Sequence, residues 1–234
     1  MKKNLISVGL LLGMYFFIVS QCTVNKQIII VPKTEVDIAK EVAPHVVAYR
    51  EMKFANRRAA TGFHIEFAGE IYILTNRHVC DRNYSIYKHN KIQFGDYIGD
   101  VIAIDPIHDL CLVTSNRSEG LKIARIQSEV LEEITLVGFP RGIGKIIRKG
   151  HFVEPRLIFA PWLDNRNVPS LLTSVIAYGG NSGSPLVNRY GEVTGVLFAG
   201  DRRFHTEAYV VPLRYVHAFL LETILGLTRP VYAR

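Results

Sequence analysis

The sequence predicts an all-β domain that is followed by a single C-terminal helix. Short apolar runs rich in Val, Ile, Tyr and Phe alternate with turn clusters, a pattern typical of strands rather than helices. No internal repeat or low-complexity segment interrupts it. The chain has 234 residues, of which about the first 22 have the pattern of a leader. The remainder suits one domain, because all-β domains commonly reach roughly 200 to 250 residues.

Residues 1–22 are predicted to be a signal peptide or a membrane anchor. Two lysines precede an apolar run over residues 5–20, which is the pattern of an export signal. The run is intermediate in length between a cleavable apolar core and a spanning helix. Cleavage, retention and lipidation of Cys22 therefore stay open, although Gln21 is unusual before a lipidated cysteine. Each outcome places the domain outside a bacterial cytoplasm, either periplasmic, in the cell envelope or secreted, with or without a membrane tether.

The remaining chain divides into a linker, two groups of strands and a helix. We expect a linker over residues 23–42, with a short helix near 35–41, and a tail over residues 226–234. Strands are expected near residues 46, 62, 71, 84, 92, 102 and 109, with a hairpin loop at 52–60, and again from 134 to 211. An apolar stripe of helical spacing predicts the terminal helix at 212–225, and it consists of Leu213, Val216, Phe219, Leu220 and Ile224.

The most informative motif is Gly-Gly-Asn-Ser-Gly-Ser-Pro at residues 179–185. Glycine on both sides lets the backbone crowd around the Ser182 hydroxyl and direct N–H groups to one point. A nucleophilic serine needs exposure, a base within reach and donors for a developing oxyanion. A plain hairpin loop can carry the same sequence, so the interpretation depends on a base and an orienting acid elsewhere.

Two upstream motifs supply those groups. His78 follows the apolar run at residues 71–74, where a buried strand ends, and Asp109 opens a second apolar run. Taken singly, His78 is a polar residue at a strand end and Asp109 is a turn cap. Together with Ser182 they form a base, an orienter and a nucleophile in the chain order His, Asp, Ser.

These motifs resemble the trypsin-like serine proteases, and most closely the bacterial branch that includes the HtrA/Deg proteases. The resemblance covers about residues 42–225 and rests on Thr61 to Phe63, Thr75 to Val79, Asp109 to Val113, Gly138 to Gly142, Gly180 to Pro185 and Tyr209 to Pro212. It implies a chymotrypsin-like fold: two six-stranded antiparallel β-barrels, over about 43–125 and 126–211, with the site between them. Because only about nine residues follow the helix, we expect a protease domain, 43–225, without a C-terminal PDZ domain.

The resemblance also implies a role for each motif residue. Ser182 would attack the scissile carbonyl, His78 would move the proton, and Asp109 would orient the imidazole. The segment Gly180–Asn181–Ser182 would form the oxyanion hole through the N–H groups of Gly180 and Ser182. Asn181 replaces the aspartate of the digestive enzymes, so we expect no activation by a newly released N-terminus. Ser184 stands where the family usually has glycine, and it would be strained if that position needs a positive φ.

The resemblance places the S1 pocket, which binds the residue before the scissile bond, on two short segments. These are Ile176, Ala177 and Tyr178 before the nucleophile and Phe198, Ala199 and Gly200 after it. Trypsin keeps its acid at the position of Ile176, so cleavage after Lys or Arg is not expected. We expect a small or medium apolar residue there instead, unless Asp201 or Glu207 reaches the pocket.

Cysteine usage leaves one pairing open. Three cysteines do not make a disulfide framework, and Cys22 belongs to the leader. Cys80 lies just beyond His78, and Cys111 on the Asp109 strand is expected to be a small buried hydrophobe. A Cys80–Cys111 bridge is the alternative in an oxidising compartment, but the sequence does not give their separation.

Composition limits the partners. The net charge is +7, from 28 Lys and Arg against 21 Asp and Glu, which indicates a solvated basic surface or steering of an acidic partner. The eight histidines are scattered, and neither an RNA signature nor zinc-finger spacing is present. We therefore expect protein or peptide substrates, with no nucleic acid, metal or cofactor.

Three functional hypotheses follow. The first is an exported or tethered serine endopeptidase that acts through an acyl-enzyme. The second is a catalytically inactive relative that uses the same barrels to bind proteins; it predicts loss of a triad residue, and none is lost. The third is a viral or phage-type processing protease with few substrates. The sequence does not indicate the physiological substrate or the oligomeric state.

Overall fold

The computed structural model describes residues 31–53, 56–84, 90–200 and 207–227. The predicted leader, Asp201 and the end of the tail lie outside these residues. The elements, in chain order, are α1 Glu35–Val42, β1 Val46–Lys53, β2 Asn56–Phe67, β3 Glu70–Thr75, α2 Arg77–Tyr84, β4 Lys91–Phe94, β5 Tyr97–Asp105, β6 Leu110–Thr114, β7 Glu133–Gly138, β8 Ile146–Ala160, β9 Arg166–Thr173, β10 Pro185–Val187, β11 Val193–Gly200, β12 Ala208–Pro212 and α3 Leu213–Ile224.

The strands form two six-stranded antiparallel sheets. The first has the order β1-β2-β3-β6-β5-β4, and its edges approach where the Gly95 N–H donates to the Ala48 carbonyl (2.8 Å). The second closes into a barrel with the order β10-β11-β12-β9-β8-β7. Both sheets are built from consecutive strands, and α3 follows β12. The predicted all-β fold with two six-stranded sheets and a C-terminal helix is confirmed.

One large apolar core joins the two sheets. It includes Phe63 of the first sheet, Val187 of the second, and Phe219 of α3, all at most 2% exposed. Two smaller clusters fill the individual sheets, around Phe94 in the first and Phe152 in the second. A core shared in this way holds the facing loops of the two sheets in one arrangement.

The N-terminal helix α1 packs into this shared core. Thr34 caps the helix, because its hydroxyl accepts the Asp37 N–H and the Asp37 carboxylate accepts the Thr34 N–H. Ile38 and Val42 lie in the core and are 1% and 0% exposed. The helix falls within residues 23–42, which the sequence assigned to a linker, so its packed part is continuous with the domain.

Two local predictions were wrong. The strand expected near Tyr84 is the end of α2, whose first turn is stabilised by the i,i+4 pair between Arg77 and Asp81. The hairpin loop expected at residues 52–60 is mostly strand, since the ladder of β1 and β2 runs without a break from the Val46–Phe63 pair to the Lys53–Asn56 pair. Charged residues in this stretch hid its strand character in the sequence.

A disulfide bridge joins Cys80 of α2 to Cys111 of β6, with the two Cα atoms 6.6 Å apart. It closes a sequence separation of 31 residues between two elements that pack in the same buried cluster. The prediction of Cys111 as an unpaired buried residue was therefore wrong, and the alternative pairing is present. No helix within the described part of the chain is long and apolar enough to cross a membrane.

Candidate active site

His78 and Asp109 are joined by two hydrogen bonds at the end of the first sheet. His78 lies in the first turn of α2, and its Nδ1 is 2.6 Å from Asp109 Oδ2. The backbone N–H of His78 donates to the other carboxylate oxygen, Oδ1, at 2.8 Å. Asp109 is fully buried and His78 is 8% exposed. With Nδ1 donating to the carboxylate, the imidazole Nε2 carries the free lone pair, as a general base requires.

Asp109 adopts an unusual backbone conformation that its neighbours hold in place. Its φ is 60°, in the left-handed region that aspartate tolerates better than most residues. The Asp109 carbonyl accepts two hydrogen bonds, from the Arg77 N–H at 3.1 Å and from Asn76 Nδ2 at 3.0 Å. The segment that leads into α2 therefore fixes both ends of Asp109, its carbonyl and its carboxylate.

A second His–Asp pair precedes Asp109 in the same turn. His108 Nδ1 lies 2.7 Å from Asp105 Oδ2, and the His108 ring stacks on Tyr215 of α3 with centroids 3.9 Å apart. Burial raises the pKa of Asp105, but hydrogen bonds from His108 outweigh it, so the pKa lies below its usual value. This pair ties the turn to the C-terminal helix.

The turn at residues 179–184, which carries Ser182, follows β9 and reaches back to the first sheet. Gly180 and Gly183 have φ values of 100° and 83°, which glycine adopts readily. The Ser182 carbonyl accepts the Thr61 N–H at 2.8 Å, and the Thr61 hydroxyl donates to the Gly180 carbonyl at 2.8 Å. Thr61 itself accepts a hydrogen bond from Thr75 at the end of β3 (2.7 Å). These bonds bring the turn beside the strand that leads into His78.

The N–H groups of this turn fall into two sets. Those of Asn181, Gly183 and Ser184 donate to Tyr178, Leu197 and Asn181 carbonyls at 3.0, 2.8 and 2.9 Å. Those of Gly180 and Ser182 donate to no acceptor within the described chain. Two unengaged donors therefore lie on either side of Asn181, next to a half-buried serine, and their use by an oxyanion stays a prediction. These are the two donors that the sequence named.

Two expectations about the turn change. Asn181, which was included in the oxyanion segment, uses its N–H within the turn and buries its side chain, so it shapes the turn rather than donating to an oxyanion. Ser184 does not have a positive φ, so the expected strain is absent; the left-handed residue is Gly183. The Ser184 hydroxyl is fully buried against Gly138, which removes it as a competing nucleophile.

The six residues predicted for the S1 pocket lie in different environments. Ala177 is buried and faces Gly200, since a Cβ built on Gly200 would lie 3.8 Å from the Ala177 Cβ. Ile176 is 46% exposed, and Tyr178 and Ala199 are half-buried. Phe198 is 2% exposed and packs in the shared core, next to a bulge of β11. Ala177 and Gly200 therefore lie side by side, and their role in an S1 pocket stays a prediction.

Arg77, which precedes His78, links the site to the second barrel. Its Nη1 lies 3.1 Å from Asp164 Oδ2 in the β8–β9 turn and 3.3 Å from the Pro106 carbonyl, and its Nε is 2.7 Å from Asp81. Burial lowers the pKa of Arg77, but Asp164 and Asp81 outweigh it and hold the pKa above its usual value. The sequence analysis missed this residue, because a charged neighbour of a histidine carries no signal of its distant partner.

The sequence also missed the role of Thr61. Its hydroxyl donates to the Gly180 carbonyl and accepts the Phe139 N–H at 3.1 Å, so one side chain links three of the predicted motifs. The signal was present, because Thr61 opens one of the phrases that resembled the protease family.

Residues 60–196 match the trypsin-like peptidase domain, a stretch that covers more than half of the chain. It includes His78, Asp109 and the turn that carries Ser182. The chain belongs to the trypsin-like peptidase family.

The peptidase is 28% identical over 170 residues to serine protease HTRA1 of Xenopus laevis, which covers 68% of this chain and 37% of HTRA1. The Rv3671c protease of M. tuberculosis, in its active form, matches its fold with a TM-score of 0.65 at 20% identity, covering 86% of this chain and 90% of that one. The serine endoprotease of Yersinia pestis matches with a TM-score of 0.63 at 20% identity, covering 85% and 69%.

The peptidase spans between 21% and 42% of the length of the curated relatives it matches. The shared part is the trypsin-like peptidase domain. What the relatives do outside that domain does not carry over to this chain.

Proposed function

We propose that this protein is a serine endopeptidase that cleaves peptide bonds through Ser182, His78 and Asp109. The observation that carries the proposal is the combination of a two-point His78–Asp109 contact with two unengaged N–H groups, those of Gly180 and Ser182. Acyl transfer needs a base of fixed tautomer and an oxyanion site, and these contacts and unengaged donors support assigning both here.

The proposed reaction has two halves. Ser182 Oγ attacks the scissile carbonyl carbon while its proton moves to His78 Nε2, and Asp109 stabilises the imidazolium that forms. The C–N bond then breaks, and His78 gives the proton to the leaving amine. Water hydrolyses the Ser182 ester by the same route in reverse. The N–H groups of Gly180 and Ser182 bind the oxyanion in both halves, and each such donor is typically worth about 100- to 1000-fold in rate.

We propose a small or medium apolar residue on the acyl side of the scissile bond. Ala177 and Gly200 are small and face each other, and Ile176 stands at the position of the trypsin acid. Glu207, one of the two carboxylates that the sequence left open for the pocket, accepts a hydrogen bond from the Tyr209 hydroxyl at 3.0 Å. A peptide library that varies this residue tests the preference, and preferred cleavage after Arg would contradict it.

We propose that the protein is exported and acts outside the cytoplasm. The Cys80–Cys111 bridge supports it independently of the leader pattern, because disulfides persist in oxidising compartments such as the periplasm or the cell exterior. Substrates in such a compartment would be exported, foreign or misfolded proteins.

The test uses a fluorophosphonate probe, which labels an activated serine. We expect the purified protein to be labelled and the Ser182→Ala variant to be unlabelled. Ser184→Ala is the matched control: its hydroxyl is buried and has no hydrogen-bond partner among the described residues, so its removal should leave labelling intact. Labelling that persists in Ser182→Ala would refute the nucleophile. Absence of labelling in the unmodified protein would favour a binding module without catalysis.

A further inference from the structure

The turn at residues 139–142 contacts the segment at residues 179–180 and contains Arg141. The Arg141 N–H donates to the Gly179 carbonyl at 2.7 Å. Two residues earlier, the Phe139 N–H donates to the Thr61 hydroxyl, which donates in turn to the Gly180 carbonyl. The backbone of Arg141 is therefore held against the same short segment that supplies an oxyanion donor.

The backbone of Arg141 is also in an unfavourable conformation. Its φ is 53°, in the left-handed region that residues with a Cβ seldom adopt. The following residues close the turn, since the Gly142 N–H donates to the Phe139 carbonyl at 3.1 Å. Backbone strain of this kind persists where the surroundings hold it, and it concentrates at ligand sites.

The side chain of Arg141 is exposed, and its charge is not neutralised. The guanidinium carbon lies 5.5 Å from the centre of the Tyr178 ring. No carboxylate oxygen of the described residues lies within 4.0 Å of it, whereas Arg77 and Arg156 each have such a partner. A ring beneath the guanidinium restricts its motion and leaves the N–H edge available for a two-point contact with a carboxylate.

The position of Arg141 relative to Ser182 indicates which part of a substrate it meets. The predicted acyl-side pocket lies between Ala177 and Gly200, and its strand β11 contacts the turn at Gly183. Arg141 contacts the turn at Gly179 and beside the predicted oxyanion donor, since a Cβ built on Gly180 would lie 2.6 Å from the Arg141 nitrogen. A scissile carbonyl bound by the Gly180 N–H would therefore lie beside the Arg141 backbone. Because the predicted pocket receives the acyl-side residue, the leaving-group residues are the ones free to meet the guanidinium.

We infer that Arg141 is a specificity-determining residue that binds a carboxylate on the leaving-group side of the substrate, within about three residues of the scissile bond. The inference rests on the proposed function of Ser182. The carboxylate would come from an Asp or Glu side chain or from the C-terminus of a short peptide. Because the contact is charge-assisted but partly exposed, we expect it to raise kcat/KM by about 5- to 10-fold.

The experiment compares three peptides that share an alanine before the scissile bond. The first has Glu as the second residue after the bond and an amidated C-terminus. The second has Gln there and the same amide. The third has Gln and a free carboxylate at the third residue. We expect the first to be cleaved about 5- to 10-fold more efficiently than the second, and less so as salt is added. A preference shown only by the third would assign the carboxylate to the C-terminus.

The decisive readout is the Glu/Gln ratio, which is independent of the overall rate of a variant. Arg141→Gln should bring the ratio close to one. Lys145→Gln is the matched control, because it removes the same charge from a neighbouring residue whose ammonium already donates to the Ala43 carbonyl. We expect Lys145→Gln to keep the ratio. An equal ratio in the unmodified protein and in Arg141→Gln would overturn the inference, as would a loss of the preference in Lys145→Gln of the same size.

Failure of this inference is distinguishable from failure of the proposed function. Fluorophosphonate labelling of Ser182 reports the nucleophile without any leaving-group residue. Labelling together with a Glu/Gln ratio of one would leave the proposed function standing and reject the role of Arg141. If labelling fails, the Kd values of the same peptides are measured with the inactive protein. Equal Kd values for the Glu and Gln peptides would again reject the role of Arg141.

Discussion

The glycines of the turn at residues 179–184 differ in how well they would tolerate a side chain. A Cβ on Gly183 would lie 2.0 Å from the Thr61 carbonyl oxygen, and its φ of 83° is unfavourable for any other residue. A Cβ on Gly179 would meet no atom within 4 Å. The glycine-rich sequence therefore contains one position where a glycine is required by space and backbone, and one where it is not.

We expect Gly183→Ala to abolish fluorophosphonate labelling of Ser182, because the turn must move away from Thr61 to accept the methyl group. Gly179→Ala is the control and should retain labelling, and its free energy of unfolding should change by less than about 1 kcal/mol. Urea denaturation of both variants separates loss of the site from loss of the fold. Retained labelling in Gly183→Ala would show that the turn is more adaptable than its contacts indicate.

His64 on β2 is a residue whose protonation opposes folding. It is 2% exposed, and its Nδ1 lies 2.8 Å from the Ser115 hydroxyl. Burial, together with the charges of Arg117 and His45, lowers the pKa of His64 to about 4. The unfolded chain, with an ordinary pKa of about 6.5, therefore binds a proton that the folded protein excludes.

The stabilising contribution of neutral His64 should be complete above about pH 6.5 and should be lost as the pH falls toward 4. We expect the free energy of unfolding to fall by on the order of 1–2 kcal/mol over that window, after allowance for solvent screening. Urea denaturation at pH 7 and pH 4.5 measures the loss, and His64→Gln should show a smaller one. Equal losses in the two proteins would assign the pH dependence to other groups.

At the scale of elements, the helix that carries His78 and the strand that follows Asp109 are covalently joined. Cys80 lies two residues after His78, and Cys111 lies two residues after Asp109. The bridge therefore spans the same pair of elements as the His78–Asp109 hydrogen bonds. The hydrogen bonds join the two elements in the folded protein. The bridge adds a covalent constraint, and this constraint acts mainly by restricting the unfolded chain.

We expect removal of the bridge to lower the free energy of unfolding by about 3–4 kcal/mol, because the bridge closes a loop of this length in the unfolded chain and its removal restores that chain's entropy. Urea denaturation of the oxidised and the reduced protein measures the difference. The double variant Cys80→Ala and Cys111→Ala is the control, since a reductant should not change its stability. An unchanged midpoint on reduction of the natural protein would contradict the expectation.

At the scale of the whole molecule, one core integrates the N-terminal helix, both sheets and the C-terminal helix. Ile38 and Val42 of α1 share it with Phe63 of the first sheet and with Phe219 of α3. The site lies where loops of the two sheets meet, so its geometry depends on this shared core. Arg77 adds a polar link between the sheets through Asp164.

We expect Ile38→Ala to lower the free energy of unfolding by about 2–4 kcal/mol, because it leaves a cavity in the shared core. Val36→Ala on the same helix is the control; it is 59% exposed and should change stability by less than about 0.5 kcal/mol. Chemical denaturation checks both. Equal small effects would mean that α1 is a dispensable linker helix.

Much of the fold and the site could be predicted because the signals are local. The apolar stripe of α3, the strand before His78 and the glycine turn around Ser182 are each readable within about ten residues. Tyr84 and residues 52–60 were misassigned because a short polar helix and a charged hairpin have weak local patterns. The partners of Arg77 and Thr61 could not be predicted, since they lie 87 and 119 residues away in the chain.

By itself, the sequence determined the fold class, the family and the three residues proposed for catalysis, because each is encoded in short motifs whose order is characteristic. Only the tertiary structure decided that the Asn181 N–H is engaged within its turn, that Ser184 is buried, that Cys80 and Cys111 pair, and that the exposed Arg141 has no carboxylate partner among the described residues. Those properties depend on which backbone groups meet across the two sheets. These contacts follow from the packing of the shared core, which no local sequence pattern specifies.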